Sequence, residues 1–122
     1  MNEIATLNDA VRQSLVNLEV KNSLALINCR FEIVMTANLQ NTIENKVGLL
    51  KAVAEFNHFN EQNDPYGEHD CFRFKFEDEW IIAKFDYYAP DIAYSGKIPV
   101  LSSITKVSLK INSTGQSKPT SW

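Results

Sequence analysis

Two adjacent runs of alternating residues between positions 72 and 87 constrain the fold of this chain more than any other feature. In the first run, aromatic residues alternate with basic ones from Phe72 to Phe76, and in the second, apolar residues alternate with charged ones from Ile81 to Tyr87. Successive side chains of a strand point to opposite faces of a sheet, so each run predicts a strand with one apolar face. Together they predict a β-hairpin, and therefore a chain that folds around a sheet.

The pairing of these two strands follows from the same pattern, because a slip by one residue would move every apolar side chain to the other face. We expect three cross-strand pairs: Phe76 with Ile81, Phe74 with Ala83 and Phe72 with Phe85. This register leaves residues 77–80 as the turn. A two-residue loop at Asp78 and Glu79 would require positive φ without glycine, whereas a four-residue loop around a type I turn avoids that cost.

Four further segments show the periodicity of a helix or a strand. Apolar residues at three- and four-residue steps predict a helix over about residues 2–18, and a second helix has Asn41 as N-cap, with Glu44 completing a capping box. Apolar and β-branched residues predict strands at 31–36 and, by alternation, at 107–111. The order is α-β-α-β-β-β, so we predict an α+β fold with two helices packed on a mostly antiparallel sheet of about four strands.

Length and composition limit the class of protein. A chain of 122 residues with 44% hydrophobic residues is long enough for one core; we assign residues 1–111 to a single α+β domain and 112–122 to a flexible C-terminal tail. The longest aliphatic run, 24–27, is far shorter than the roughly 20 residues of a membrane span, and the first segment lacks the regions of a secretory signal. We expect a cytoplasmic protein with no membrane partner, and reduced cysteines, Cys29 and Cys71, packed in or near the core.

Charge is distributed unevenly along the chain. The 12 Lys and Arg and 15 Asp and Glu give a formal charge of −3, which argues against a protein that coats duplex DNA by neutralising phosphates. Residues 55–91 contain ten acidic and three basic residues, a net charge of −7, which leaves +4 for the rest of the chain. We therefore expect no direct binding of duplex nucleic acid, and a negative potential around the hairpin and the segment before it.

The segment between the second helix and the hairpin carries the most distinctive motif of the chain. Together with three other segments, it resembles a family of small bacterial proteins of unknown function, whose hallmark is an NDPHGEHDF loop followed by WKIDYY. The resembling segments are NDPYGEHD at 63–70, AKFDYY at 83–88, LND at 7–9 and VMTA at 34–37. The likeness extends over most of residues 7–111, and Tyr66 stands where the family commonly has His. Because members often lie on plasmids, phages and other mobile elements, the resemblance implies an accessory or anti-defence role.

The motif has two interpretations, and the first is structural. The first, second and fourth positions of a type I turn are held by Asp64, Pro65 and Gly67. The Asp64 side chain then accepts hydrogen bonds from backbone N–H groups of the loop. In this interpretation His69 pairs with a neighbouring carboxylate, Glu68 or Asp86.

The second interpretation is a metal site. The candidate ligands are Asp64, Glu68, His69, Asp70 and Asp86. Carboxylates of this kind suit Mg²⁺ or Mn²⁺, and the imidazole adds a ligand suited to Zn²⁺. No recognised metal-binding spacing such as HExxH or an EF-hand loop is present, so the sequence favours the structural turn and leaves the metal site as the alternative.

Two functions follow from these interpretations. The first is a non-catalytic interaction protein that binds a protein partner through an acidic, aromatic-edged surface and needs no cofactor. The family's mobile-element context narrows it to an inhibitor of a CRISPR-like, nucleic-acid-binding host defence complex. Its candidate partner-binding residues are Glu61, Asp64, Tyr66, Glu68, Glu77, Asp78, Glu79, Tyr88 and Tyr94. The alternative is a small metal-dependent enzyme, or a metal-stabilised domain, that uses the loop to hold a divalent metal ion.

Overall fold

The computed structural model describes residues 3–27, 29–89 and 104–113, and these ranges form four helices and one four-stranded sheet. The helices are α1 (Glu3–Gln13), α2 (Leu18–Leu24), α3 (Ala37–Thr42) and α4 (Lys46–Glu55), and the strands are β1 (Arg30–Met35), β2 (Cys71–Phe76), β3 (Glu79–Tyr88) and β4 (Lys106–Ser113). The predicted α+β class is confirmed, with shorter and more numerous helices than expected. None of the helices in the described ranges is long and apolar enough to cross a membrane.

Both predicted helices have different ends in the structure, because asparagine side chains cap helices at other positions. The first predicted helix ends at Gln13 instead of at about residue 18, and a separate helix, α2, starts at Asn17, whose side chain accepts hydrogen bonds from the backbone N–H groups of Glu19 and Val20. The second begins at Asn45 rather than Asn41. Its Oδ1 accepts a hydrogen bond of 2.9 Å from the N–H of Gly48, and a Cβ at Gly48 would lie 2.4 Å from Asn45 Nδ2, so glycine leaves room for the cap.

The sheet has the strand order β1-β4-β3-β2, with β1 parallel to β4 and the other two pairs antiparallel. A mostly antiparallel sheet of four strands is therefore confirmed. The inner face of the sheet packs on the helices and forms the core with residues such as Ile81, Leu109, Val11 and Leu49. The alternate side chains of the same strands form the outer face, and β4 extends two residues beyond the predicted domain end at 111.

The hairpin register differs from the prediction by two residues. Phe74 pairs with Ile81 and Phe72 with Ala83, so the turn contains only Glu77 and Asp78, with φ of 50° and 63°. The predicted four-residue turn is wrong because a contact outside the hairpin stabilises the shorter turn. The Glu77 carboxylate accepts hydrogen bonds from the backbone N–H groups of Glu44 (3.0 Å) and Asn45 (2.9 Å), at the start of α4.

Candidate functional site

The loop of residues 60–70, hereafter the 60–70 loop, is shaped by its own polar side chains. Asn60 Oδ1 accepts hydrogen bonds from the backbone N–H groups of Gln62 (2.8 Å) and Asn63 (3.0 Å). Asn63 in turn accepts one from the N–H of Asn60 and donates one to the carbonyl oxygen of His58. Such bonds replace regular secondary structure and give the loop a defined path.

The turn predicted for the NDPYGEHD motif is present in the structure. The N–H of Gly67, at φ 64°, donates a hydrogen bond of 3.1 Å to the carbonyl oxygen of Asp64. The buried Asp64 carboxylate accepts hydrogen bonds from the backbone N–H groups of Glu68 (3.1 Å) and His69 (3.3 Å). Asp64 therefore organises the loop from inside rather than facing solvent.

His69 joins the loop to α1. Its Nδ1 lies 2.9 and 3.0 Å from the two carboxylate oxygens of Asp9, its Nε2 lies 3.7 Å from Asp64 Oδ2, and its ring stacks on Phe59 at 3.9 Å between centroids. Because an ionised carboxylate only accepts, Nδ1 carries the proton of this hydrogen bond. The expected partners of His69, Glu68 and Asp86, are wrong: the partner is 60 residues earlier in the chain. The backbone of His69 has φ 54°, a conformation that a residue with a side chain rarely adopts.

Two further polar residues of α1 complete this region. Asn8 is fully buried, and its Nδ2 donates hydrogen bonds to the carbonyl oxygen of Glu68 (2.9 Å) and to the hydroxyl of Tyr87 (2.6 Å). Arg12 is also buried and donates to Asp9 Oδ1 at 2.7 Å. Loop, α1 and β3 are thus connected through polar side chains inside the protein.

The Arg12 guanidinium also holds the C-terminal end of α4. Its Nη1 donates hydrogen bonds to the carbonyl oxygens of Val53 (2.9 Å) and Phe56 (2.7 Å), groups that no helical N–H reaches. Its central carbon lies 5.4 and 5.2 Å from the ring centroids of Phe59 and Phe72. We call this set the α1–loop cluster; its members are Asn8, Asp9, Arg12, Phe59, Asp64 and His69.

The sequence interpretation missed Asn8, Asp9 and Arg12 as partners of the loop. A signal was present, since Asn8 and Arg12 are four residues apart beside the apolar stripe of the first helix, and so lie on one helical face near the core. Their partners, however, are distant in sequence.

The protein surroundings raise the pKa values of two carboxyl groups of the loop and of the cysteine thiol that follows it. Burial raises the pKa of Asp70, and the nearby charge of Asp64 raises it further. Burial also raises the pKa of Glu68, with smaller contributions from Asp70 and Asp64. Burial raises the pKa of the Cys71 thiol to about 12, so it is protonated at neutral pH and a poor nucleophile. Both Cys71 and Cys29 are free thiols.

The five predicted metal ligands do not form one site. Asp86 lies on the outer face of the sheet, where its carboxylate is 2.9 Å from Lys110 Nζ and 4.0 Å from Lys84 Nζ. His69 and Asp64 are already engaged with Asp9 and the loop backbone. Within residues 3–27, 29–89 and 104–113, no group of three or more His, Cys, Asp or Glu side chains is placed to hold a metal ion.

The predicted partner-binding residues fall into separate places. The 60–70 loop exposes Glu61 and Tyr66, and Glu68 beside them is half-buried. The hairpin turn lies at the opposite end of β2, about 20 Å away for a strand of this length.

At that turn only Asp78 extends fully into solvent. Glu77 is bonded to the start of α4, and the carboxylate of Glu79 accepts a hydrogen bond from Ser113. Tyr88 is exposed on the outer face of the sheet, and Tyr94 lies outside the described residues. The structure therefore divides the predicted acidic surface into a loop part and a turn part.

A comparison with models of protein families matches residues 35–110 to the family described as Protein of unknown function (DUF3768). No curated protein and no solved structure matches the chain. The matched range includes the 60–70 loop and the hairpin, whereas α1 and its members of the α1–loop cluster lie outside it.

Proposed function

The chain belongs to this family of unknown function, and we propose that it is a non-catalytic interaction protein that presents the tip of the 60–70 loop to a protein partner. One observation carries the proposal: the side chains of the loop that could take part in catalysis, His69 and Asp64, point inward, and an aromatic side chain points outward. His69 and Asp64 bond to Asp9 and to the loop backbone, while 80% of Tyr66 is exposed.

The fixed shape of the loop favours recognition. A loop that is ordered before binding loses little conformational entropy when it meets a partner, and tyrosine is enriched among the residues that contribute most to protein interfaces. The α1–loop cluster supplies this order, because it fixes both the backbone of the loop and its position on α1.

The charge of the region favours a basic partner. Residues 52–72 contain no Lys or Arg, and four of their acidic side chains reach the surface: Glu55 and Glu61 are exposed, and Glu68 and Asp70 are half-buried. Opposite charge on a partner surface accelerates association and selects against acidic partners. In its full form, which rests on the family resemblance, the proposal is that the protein inhibits a CRISPR-like, nucleic-acid-binding host defence complex by occupying a basic surface that nucleic acid otherwise contacts.

A displacement assay tests this proposal. The protein is titrated into RNA-guided defence complexes bound to labelled target DNA, and release of the DNA is measured at low and high salt. We expect release at low salt that weakens at high salt, that is lost in Tyr66→Ala, and that is retained in the control Val47→Ala, whose side chain is equally exposed on α4.

Three outcomes contradict the proposal: no release from any complex of the panel, release that does not depend on salt, or equal effects of Tyr66→Ala and Val47→Ala. Thermal melts of both variants separate a lost contact from a lost fold, since an exposed side chain outside the core changes stability by less than about 0.5 kcal/mol.

A further inference from the structure

The outer face of the sheet concentrates the positive charge of the chain. Six of the twelve Lys and Arg residues lie on it: Arg30 on β1, Arg73 and Lys75 on β2, Lys84 on β3, and Lys106 and Lys110 on β4. The register places them side by side, with Arg30 beside Lys106 and Lys110 beside Lys84. Within the four described strands, the acidic side chains on this face are Glu32 and Asp86, so the cations outnumber the carboxylates there by six to two.

The two carboxylates neutralise only part of this charge. Glu32 lies 2.9 Å from Lys106 Nζ, and Asp86 is shared between Lys110 at 2.9 Å and Lys84 at 4.0 Å. About half of the side-chain surface of Lys84 and of Lys110 stays exposed. Exposed ion pairs of this kind are weak, at about 0–1 kcal/mol, so the lysines can exchange these partners for an anionic ligand.

Aromatic side chains lie at both ends of the long strand on this face. Tyr88 is 43% exposed, and Lys106 Nζ lies 5.0 Å from its ring centroid. Trp80, half-buried beside Lys75, lies eight residues earlier, about 27 Å along the strand. The lysine and arginine side chains of this face therefore lie between the rings of Trp80 and Tyr88 along β3, or on the other strands of the sheet.

We propose that the outer face of the sheet binds single-stranded nucleic acid. Lysine and arginine on neighbouring strands complement the phosphates, and an exposed aromatic ring can stack on an unpaired base. Among the described residues, the helices pack on the inner face, and on the outer face Lys84, Lys110 and Tyr88 each keep roughly half of their surface exposed to a ligand. In a duplex, paired bases are stacked on each other and cannot stack on Tyr88.

The net negative charge of the whole chain does not prevent this face from binding an anionic ligand. Charges on a protein surface act over about 10 Å at 0.1 M salt, so an acidic region on another surface is largely screened. The 60–70 loop is bonded to α1, in the helix layer. The proposed face is therefore distinct from the loop surface that we assign to a protein partner, and either can exist without the other.

Fluorescence anisotropy with labelled oligonucleotides of about 15 nucleotides tests the site. Single-stranded DNA, single-stranded RNA and duplex DNA form the three arms, each measured over a series of salt concentrations. We expect both single strands to bind more tightly than the duplex, and a preference between them to show whether the 2′-hydroxyl is recognised. The logarithm of the binding constant should fall with the logarithm of salt by about 0.7 for each phosphate contact.

A matched pair of charge variants locates the binding. Lys84→Gln combined with Lys110→Gln removes two cations from the outer face and should reduce the salt slope by about 1.4. Lys21→Gln combined with Lys51→Gln removes the same charge from α2 and α4 and should leave the slope and the affinity unchanged. Equal weakening by both double variants would show that net charge alone acts, and would overturn the proposal.

Tyr88 tests the stacking. Tyr88→Ala should weaken single-strand binding about tenfold, and Tyr88→Phe, which keeps the ring, should bind as the unmodified protein does. Thermal melts confirm that each variant is folded. No binding of single strands at low salt, duplex binding as tight as single-strand binding, or equal affinity of Tyr88→Ala and Tyr88→Phe would each reject the site.

Discussion

The 60–70 loop and the hairpin turn both place residues with side chains in the left-handed backbone region, but they hold them by different means. In the loop, the backbone of His69 at φ 54° is fixed by the ring's contacts with Asp9 and Phe59. In the turn, Glu77 and Asp78 at φ 50° and 63° depend on one carboxylate that bonds to the start of α4. An unfavourable conformation persists where surrounding contacts determine it. The loop has several such contacts inside the protein, whereas the turn has the two hydrogen bonds of a single carboxylate at its surface.

The largest effect is expected where the loop region meets two helices, at Arg12. Arg12→Met should lower the free energy of unfolding by about 3 kcal/mol, because it removes one of the two donors to the Asp9 carboxylate and the side-chain donor to the last carbonyl groups of α4. Urea unfolding at neutral pH measures the loss. Lys51→Met, on the exposed side of α4, is the matched control, and a similar small change in both variants would show that the α1–loop cluster adds no stability.

At His69, two substitutions separate the side-chain contacts from the backbone strain. His69→Ala should cost about 2 kcal/mol, through the lost bond to Asp9 and the lost stacking on Phe59. His69→Gly loses the same contacts but removes the left-handed strain, so it should be about 1 kcal/mol less destabilising than His69→Ala. Chemical denaturation of the two variants compares them directly. If alanine is tolerated as well as glycine, the backbone at this position relaxes and stores no strain.

The same pair of substitutions at the turn should give a smaller effect. Glu77→Ala removes two hydrogen bonds at the start of α4 and should cost about 1 kcal/mol, as the loss of a helix cap does. Glu77→Gly should be close to neutral, because relief of the positive φ offsets the lost bonds. The comparison between loop and turn fails if Glu77→Ala destabilises the protein more than His69→Ala does.

Sequence reasoning succeeded where the pattern is local. Alternation identified the inner face of β3 and β4, and Ile81, Leu109 and Ile111 are buried there. The hairpin register was not determined by the same pattern, since a slip by two residues leaves every side chain on its face. The turn rule then favoured the longer loop, because neither residue of the shorter turn is glycine. The contact that stabilises the shorter turn, the bond of Glu77 to the start of α4, crosses more than 30 residues of chain and leaves no local signal.

The candidate site shows the same limit. The turn at Asp64 followed from the residues Asp, Pro and Gly within four positions, and its hydrogen bonds are present. The partner of His69 did not follow, because the nearest carboxylates in sequence are not the nearest in space. The outer face also remained hidden in the sequence, since its six cations come from four strands and only the register brings them together.

The smallest expected change in stability comes from the ionisation of one carboxyl group. The test compares a partly buried carboxyl of the loop, Asp70, with an exposed carboxyl of the turn, Asp78. Burial, followed by the charge of Asp64, raises the pKa of Asp70 above the ordinary value of 3.8. The folded state therefore prefers the protonated carboxyl, and this contribution to stability is complete below pH 3.8 and is lost as the pH rises through the higher pKa of the folded state. Above that pKa the ionised Asp70 is a cost, which Asp70→Asn removes while keeping a side-chain oxygen for the backbone.

Thermal melts between pH 3 and pH 7 measure this cost. Asp70→Asn should melt slightly higher than the unmodified protein at pH 7, by an amount that declines toward acid pH. Asp78→Asn, at a side chain that is 99% exposed at the turn, removes no cost of burial and is the matched control, so it should not raise the melting temperature at pH 7. A gain in melting temperature of Asp70→Asn that persists at acid pH would have a cause other than ionisation. Equal profiles of melting temperature against pH for the two variants would mean that Asp70 is as open to water as Asp78. The contrast between the loop and the turn would then rest on hydrogen bonds alone.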